Sequence, residues 1–146
     1  MALDKWAHAR AGVEDAKEAA RDLPESETNR GKAVPFPFVN KQFIKDAFTN
    51  REINHAIDDA PVRTIPLAGL SSLQHSVKLD RLDEYIEHPK IIPEGTRDPK
   101  HGGLIDHIIV IQYKGIRLIW DGNHRASAAL LNGKKTIDAR LVDFDK

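Results

Sequence analysis

The sequence predicts an α/β domain that follows an N-terminal helical extension. Near the N-terminus, apolar residues recur at the three- and four-residue spacing of an amphipathic helix. From Val62 onward, short apolar runs typical of strands alternate with helical patterns. This change of pattern divides the chain into an extension with a linker, residues 1–61, and an α/β domain, residues 62–146.

The composition excludes several classes of protein. The chain has 146 residues, enough for one domain with a core and an appendage. Its 22 basic and 22 acidic side chains balance, which argues against a dedicated duplex-binding protein. The absence of cysteine excludes disulfides, thiolate zinc sites and a cysteine nucleophile. Because no apolar run has signal-peptide or membrane-spanning character, we expect a soluble, cytoplasmic protein with no membrane partner.

The extension is predicted to start with an amphipathic helix over Leu3–Leu23. Its apolar face is expected to pack on the main domain, on a protein partner or on a second copy in a homodimer. Pro24–Lys32 is polar and is expected to be a linker. The run AVPFPFV, residues 33–39, alternates proline with aromatic residues and predicts an extended strap across a hydrophobic surface.

A short second helix is predicted at the end of the extension. Thr49 and Glu52 have the spacing of a capping box, in which each side chain bonds the backbone of the other residue. The helix is expected to run through Ala60 and to stop at Pro61.

The first half of the α/β domain is predicted to contain a strand and a helix. VRTIPL, residues 62–67, is expected to be a short strand, and AGLSSLQHS, residues 68–76, a turn-rich stretch after it. Asp80–His88 predicts a helix with three residues inward: Leu82, Tyr85 and Ile86. The proline- and glycine-rich segment Pro89–Gly103 predicts a long loop.

A hairpin, a helix and a last strand are predicted to complete the domain. LIDHIIVIQY and IRLIW, residues 104–113 and 116–120, flank a turn at Lys114-Gly115. Arg125–Asn132 is expected to be a helix ended by Gly133. TIDARLVDF, residues 136–144, alternates apolar and polar residues as a closing strand does.

The junction DGNHR between the hairpin and this helix predicts an anion site. Gly122 allows a tight turn and a close approach of the backbone to a ligand. The first N–H groups of a helix lack partners and carry the positive end of the dipole. Arg125 has a planar fork suited to phosphate oxygens, and His124 can donate or transfer a proton near neutrality. With Asp121 and Asn123, these residues are most consistent with a phosphate site.

A purely structural interpretation of the junction is open for each residue alone. Asp121 or Asn123 could cap the helix, Gly122 could be a turn residue, and Arg125 could pair with a neighbouring acid. The five in a row favour the anion site, because capping does not require a histidine followed by an arginine.

Three stretches of the domain resemble the ParB/sulfiredoxin superfamily. In that superfamily a D-G-x-H-R or related turn opens a helix that packs on a small sheet, as in WDGNHRASAALLNGKKTIDARLVDF. TIPLAGLSSLQHSVKLDRLDEYIEH resembles its first strand, ligand-side loop and helix, and IDHIIVIQYKGIRLIWDG its central hairpin. The resemblance covers residues 62–146 and implies a small mixed sheet with packed helices.

The branches of the superfamily differ in what they imply for this chain. Sulfiredoxins need a catalytic cysteine, which is absent here. Chromosome-partitioning ParB proteins bind CTP and continue into a helical DNA-binding domain, whereas this sequence ends at the last strand. Free-serine kinases have the most similar turn, D-G-H-H-R, but the resemblance places their catalytic acid at about the position where this chain has Gln74. ParB-like nucleases of phages and mobile elements form a further branch.

The resemblance implies a set of site residues. It places nucleotide phosphates against the DGNHR turn, with Gln74 and His75 facing the same pocket and with Ser71 and Ser72 at its rim. Asp121 would hold Mg²⁺ brought by the nucleotide or orient His124, which would donate a proton or bind phosphate. Gln74 would position the second reactant.

The resulting expectation is a nucleotide-binding protein, for ATP, ADP or CTP, that transfers phosphate or hydrolyses a phosphate ester, without a redox cofactor. One alternative is a nucleotide-gated module without turnover, whose N-terminal extension docks a protein partner. Another is a nuclease acting on DNA, for which the neutral charge balance shows no binding surface. A dedicated metal cluster of four residues is also open, although the spacing of its members matches no ligand motif: Asp106, His107, Asp121 and His124.

Overall fold

The computed structural model describes residues 13–26, 31–87 and 107–146, and within them the chain is a mixed α/β protein. The helices are α1, of which residues 13–22 are described, α2 Gln42–Lys45, α3 Asn50–Asp59, α4 Leu79–Glu87 and α5 Asn123–Leu131. The strands are β1 Lys32–Ala33, β2 Val62–Pro66, β3 Leu70–Ser72, β4 Ser76–Val77, β5 Ile108–Tyr113, β6 Ile116–Asp121 and β7 Thr136–Asp143. No helix in these ranges combines the length and apolarity needed to cross a bilayer.

A five-stranded mixed sheet in the order β2-β7-β5-β6-β3 forms the centre of the molecule. The predicted hairpin β5–β6 is confirmed, and its two turn residues, Lys114 and Gly115, both have positive φ, as a two-residue hairpin turn requires. The predicted last strand, β7, is also confirmed. It lies between β2 and β5, antiparallel to the first and parallel to the second.

The stretch 68–76, predicted to be turns, contains two short strands. β3 is the edge strand of the large sheet and pairs in parallel with β6, and β4 pairs with β1 in a separate two-stranded sheet. The prediction missed them because strands of three and two residues have too few positions to show an alternating pattern. Their pairing depends on partners far away in the sequence.

Helices cover both faces of the large sheet. On one face, Ile65, Val110 and Ile119 pack with Ala126 and other buried residues of α5. On the other face, Ile44 of α2 and Ile53 of α3 pack against residues of the central strands. A third cluster joins α1, α4 and α5, and its buried members include three predicted to point inward: Leu82, Tyr85 and Ile86.

The described part of the predicted N-terminal extension, residues 13–26 and 31–61, is packed into this structure. Ala16 and Ala20 of α1 are fully buried against α4 and α5. The first part of the predicted helix, residues 3–12, lies outside the described ranges, as do the predicted loop 89–103, His88 and Asp106.

The predicted strap, residues 33–39, runs beside β3 and β4 and bends at Pro35 and Phe36. The Val34 N–H donates to the His75 carbonyl at 3.1 Å, and the Ser72 N–H donates to the Pro37 carbonyl at 2.8 Å. Phe36 packs against the core between the sheet and α5. The strap therefore positions the loop between β3 and β4.

The predicted capping box at the start of α3 is confirmed. The Glu52 N–H donates to Thr49 Oγ1, and the Thr49 N–H donates to Glu52 Oε1, each at 3.1 Å. The helix ends at Asp59, before Pro61. These two bonds satisfy donors that a helix start otherwise leaves without a partner.

We expect Thr49→Ala to lower the free energy of unfolding by about 1 kcal/mol, because it removes the side-chain half of the box. Thr49→Ser is the matched control, because it keeps the hydroxyl. Its free energy of unfolding should stay within a few tenths of a kcal/mol of that of the wild type. Urea denaturation followed by circular dichroism measures both, and equal losses in the two variants would contradict the prediction.

Candidate functional site

A pocket of about 190 Å³ lies where β6 ends and α5 begins. Its lining comes from five segments: the β3–β4 loop, α4, the chain entering β5, the end of β6 and the first turn of α5. The lining residues are Gln74, Arg81, Tyr85, His107, Ile108, Asp121, Gly122, Asn123, His124 and Arg125. All five junction residues predicted from the sequence are therefore in one pocket, together with Gln74.

The first turn of α5 opens into this pocket without a side-chain cap. α5 begins at Asn123, two residues earlier than predicted, and its N-cap is Gly122, which has no side chain to accept a hydrogen bond. Neither Asp121 nor Asn123 caps the helix, so the structural interpretation of these two residues as caps is wrong. The positive end of the helix dipole is left without a carboxylate or hydroxyl cap.

Gly122 is required by the packing of the β6–α5 junction. Its φ of 103° lies in the left-handed region that favours glycine. A Cβ at this position would lie 2.4 Å from Ile108 Cγ2 and 2.7 Å from Ile108 Cβ, both closer than van der Waals contact allows. The sequence predicts that Gly122 allows a ligand to approach the backbone. In the structure, Gly122 also allows the turn to pack on β5.

Ser72 and Asn123 connect the loop after β3 to the first turn of α5. Both side chains are buried, Ser72 completely. Ser72 Oγ donates to Asn123 Oδ1 and accepts from the Gln74 N–H at 3.0 Å. Ser72, expected at the pocket rim, does not line the pocket; it positions Gln74, which does.

His124 is held as a neutral imidazole. Its Nε2 accepts a hydrogen bond from the Lys78 backbone N–H at 2.9 Å, so the proton of the neutral ring is on Nδ1. Burial, together with the positive charges of Arg81 and Lys78, lowers the pKa of His124 to about 4. At neutral pH the side chain can donate a hydrogen bond from Nδ1. His124 is therefore better suited to bind a phosphate oxygen than to transfer a proton to it.

Two arginines flank the pocket, of which the sequence predicted only one. Arg125 follows His124 on α5, and its Cζ lies 5.7 Å from the ring centre of Tyr85, a cation–π contact that orients the guanidinium. Arg81 comes from α4, four residues before Tyr85 and hence on the same helix face. That spacing was visible in the sequence, but the packing of α4 against α5 was not.

The acidic and imidazole groups complete the lining. Asp121, at the end of β6, is exposed and is the one carboxylate among the described lining residues. His107 lines the pocket from the position just before β5, whereas Asp106 lies outside the described residues. Within the described residues, no three His, Cys, Asp or Glu side chains lie close enough together to hold a metal ion. Among the described lining residues, two guanidinium groups therefore accompany one carboxylate.

His75 lies beside the pocket and does not line it, contrary to expectation. Its ring is exposed and stacks on Phe38 of the strap, with ring centroids 3.6 Å apart. Ser71, the weaker rim candidate, is also absent from the lining.

Comparison of the sequence with models of known protein families gives no match, and comparison with curated proteins gives no match either. A functional hypothesis for this chain therefore depends on the chemistry of the pocket itself.

Gly122→Ala is expected to destabilise the protein by several kcal/mol, about 1–3 for the left-handed backbone and about as much again for overpacking on Ile108. Gly133→Ala is the matched control at the other end of α5. Its φ is 79°, but a Cβ there meets nothing within 4 Å, so only the backbone cost of about 1–2 kcal/mol applies. Equal unfolding free energies for the two variants, measured in urea, would contradict the packing argument.

Acidification should destabilise the protein through His124. The folded state keeps this ring neutral down to about pH 4, whereas the unfolded chain protonates it near pH 6.5. The unfolded state therefore binds more protons in this interval, and the stabilisation is complete above pH 6.5 and is lost as the pH falls towards 4. Protonation would also put a hydrogen on Nε2 and break its bond with Lys78.

The measurement is the free energy of unfolding of the wild type and of His124→Gln at several values between pH 4 and 6.5. The wild type should lose more stability on acidification than the variant. His55→Gln, on the exposed side of α3, is the control and should keep the wild-type slope. A His124→Gln slope equal to the wild type would disprove the assignment.

Proposed function

We propose that the pocket binds the phosphate groups of a nucleotide and that the protein hydrolyses or transfers phosphate there. The observation that carries this proposal is the convergence of Arg81, Arg125 and the uncapped first turn of α5 on one pocket. Guanidinium groups bind phosphate oxygens through paired N–H donors, and the N–H groups of a helix start add donors and a partial positive charge.

The arrangement of elements supports membership of the ParB/sulfiredoxin superfamily as part of the same proposal. A hairpin leads through the DGNHR turn directly into α5, which packs on a small mixed sheet. That order matches the resemblance found in the sequence. In this superfamily the turn holds nucleotide phosphates, which agrees with the lining of the pocket.

Asp121 would hold Mg²⁺ that arrives with the nucleotide. A single exposed carboxylate fits this role, because Mg²⁺ is commonly held by one or two carboxylates together with substrate phosphates and water. The bound ion would neutralise charge that develops on the phosphate oxygens. A dedicated metal cage is not proposed, because the described residues contain no suitable cluster.

Gln74 favours hydrolysis over transfer to a substrate hydroxyl. A glutamine cannot accept a proton as a base, but its amide can orient an attacking water. Phosphoryl transfer commonly passes through a loose transition state, so that positioning and charge stabilisation account for most of the catalysis. The water oxygen would form the new bond to phosphorus, the bond to the leaving phosphate oxygen would break, and the released proton would pass to solvent.

A nucleotide-gated binding module without turnover is the second candidate, and the state of His124 favours it. The bond from Lys78 occupies Nε2, and the lowered pKa leaves the ring a poor proton donor at neutral pH. The pocket would then bind nucleotide, and the bound state would be communicated through α4 and α5 to a protein partner.

Thermal shift with nucleotides, pyrophosphate and inorganic phosphate, with and without Mg²⁺, tests the phosphate site. Nucleotide should raise the Tm of the wild type, and Arg125→Gln and Arg81→Gln should each weaken binding by roughly tenfold or more, as expected for a lost charged hydrogen bond. Arg51→Gln, on the exposed side of α3, is the control and should bind as the wild type does. If no phosphate compound at millimolar concentration shifts the Tm, the proposal fails.

Phosphate release with Mg²⁺ and nucleoside triphosphates separates the two candidates. If the protein is an enzyme, Asp121→Asn should abolish release while nucleotide still binds, because the carboxylate acts on the metal and the arginines hold the phosphates. Tight binding without product would establish the module. Nicking of plasmid DNA that Arg125→Gln abolishes would instead favour a nuclease.

A further inference from the structure

A stacked aromatic pair lies at the surface beside the pocket. The rings of Phe38 and His75 are 3.6 Å apart between centroids and inclined by 24°, close to parallel. Phe38 is 42% exposed, and with Val62 it is one of two exposed large hydrophobic residues in the described part of the chain. Neither Phe38 nor His75 contributes to the pocket lining or to the buried clusters.

Hydrogen bonds hold this pair in a fixed position. On the strap side, the Val39 N–H donates to the Ser72 carbonyl at 2.9 Å and the Val34 N–H donates to the His75 carbonyl at 3.1 Å. These two bonds lie on either side of Phe38 in the strap. The pair is therefore preorganised, and its stacking needs no rearrangement of the backbone.

The loop that carries His75 is also attached to the pocket at both ends. Ser72 bonds Asn123 before His75, and the Lys78 N–H bonds His124 after it. His75 directly follows Gln74, which lines the pocket, so their Cα atoms are about 3.8 Å apart. The aromatic pair thus begins one residue from the pocket wall.

A nucleotide whose phosphates occupy the pocket would extend beyond the part that the described residues form. This part, of about 190 Å³, is smaller than the roughly 300–1,000 Å³ of pockets that enclose a drug-sized ligand. Its lining is cationic and polar, and suits the phosphates. The base, which is flat and mostly apolar on its faces, needs a different surface within reach of the phosphates.

We propose that the Phe38–His75 pair is the platform on which the nucleobase stacks while the phosphates occupy the pocket. This inference rests on the proposed function and names its ligand as a nucleoside di- or triphosphate rather than a free phosphate or polyphosphate. Stacking on an aromatic ring accepts any base, because every base has a π face. The platform therefore contributes affinity for nucleotides as a class.

Calorimetric titration with Mg-ATP and with tripolyphosphate tests the platform, since the two ligands share the phosphates and differ in the nucleoside. The wild type should bind Mg-ATP more tightly than tripolyphosphate. Phe38→Ala should weaken Mg-ATP by roughly five- to a hundredfold, the range for loss of one stacked base, and leave tripolyphosphate unchanged. Phe38→Tyr should restore Mg-ATP binding because it keeps the ring.

Val62→Ala removes the other exposed large hydrophobic residue and should alter neither affinity. His75→Asn is a second variant that leaves the strap intact, and it should reproduce the selective loss of Mg-ATP if Phe38→Ala does not fold. A short single-stranded oligonucleotide with a 5′-phosphate forms a separate arm. Binding of the oligonucleotide without binding of Mg-ATP would overturn the inference.

The possible failures are distinguishable. If Mg-ATP and tripolyphosphate bind the wild type equally, or if Phe38→Ala and His75→Asn keep full affinity for Mg-ATP, the platform is wrong and the phosphate site stands. If neither ligand binds the wild type, the proposed function is wrong, and the platform falls with it.

Discussion

The contact between Gly122 and Ile108 is the constraint on which the rest of the site depends. The start of α5 can lie against β5 only because the residue between β6 and α5 has no Cβ and adopts a positive φ. This close approach places the open helix start beside Asp121 and His107. Glycine also leaves the helix without a side-chain cap. The packing of the turn on β5 and the uncapped positive end of the α5 dipole therefore have the same structural cause.

Two hydrogen bonds extend this constraint to the rest of the pocket. Ser72 donates a hydrogen bond to Asn123, and the Lys78 N–H donates one to His124. These bonds attach the segment between β3 and α4 to the first turn of α5. That segment carries Gln74 and leads into the helix that supplies Arg81. Asn123, predicted from the sequence to bind phosphate, and His124, predicted to bind phosphate or donate a proton, thus use side-chain atoms to hold the pocket together.

The N-terminal residues show how far a division made on sequence pattern differs from one made on packing. The change of pattern at Val62 suggests an appended extension, but α1 packs against α4 and α5, and α2 and α3 cover the opposite face of the sheet. The strap also supplies Phe38 beside the pocket. A five-stranded sheet with two apolar faces needs cover on both, and one set of helices from the domain itself covers only one.

The sequence by itself determined the features that depend on neighbours along the chain: the capping box at Thr49, the hairpin turn at Lys114-Gly115 and the junction from Asp121 to Arg125. Local hydrogen bonds and glycine or side-chain chemistry set these within a few residues. Only the tertiary structure decided the place of β7 between β2 and β5, the existence of β3, the arrival of Arg81 and His107 at the pocket, and the lowered pKa of His124. Each of these depends on segments that strand pairing, helix packing or burial brings together from distant parts of the chain. Local sequence patterns do not indicate such long-range contacts.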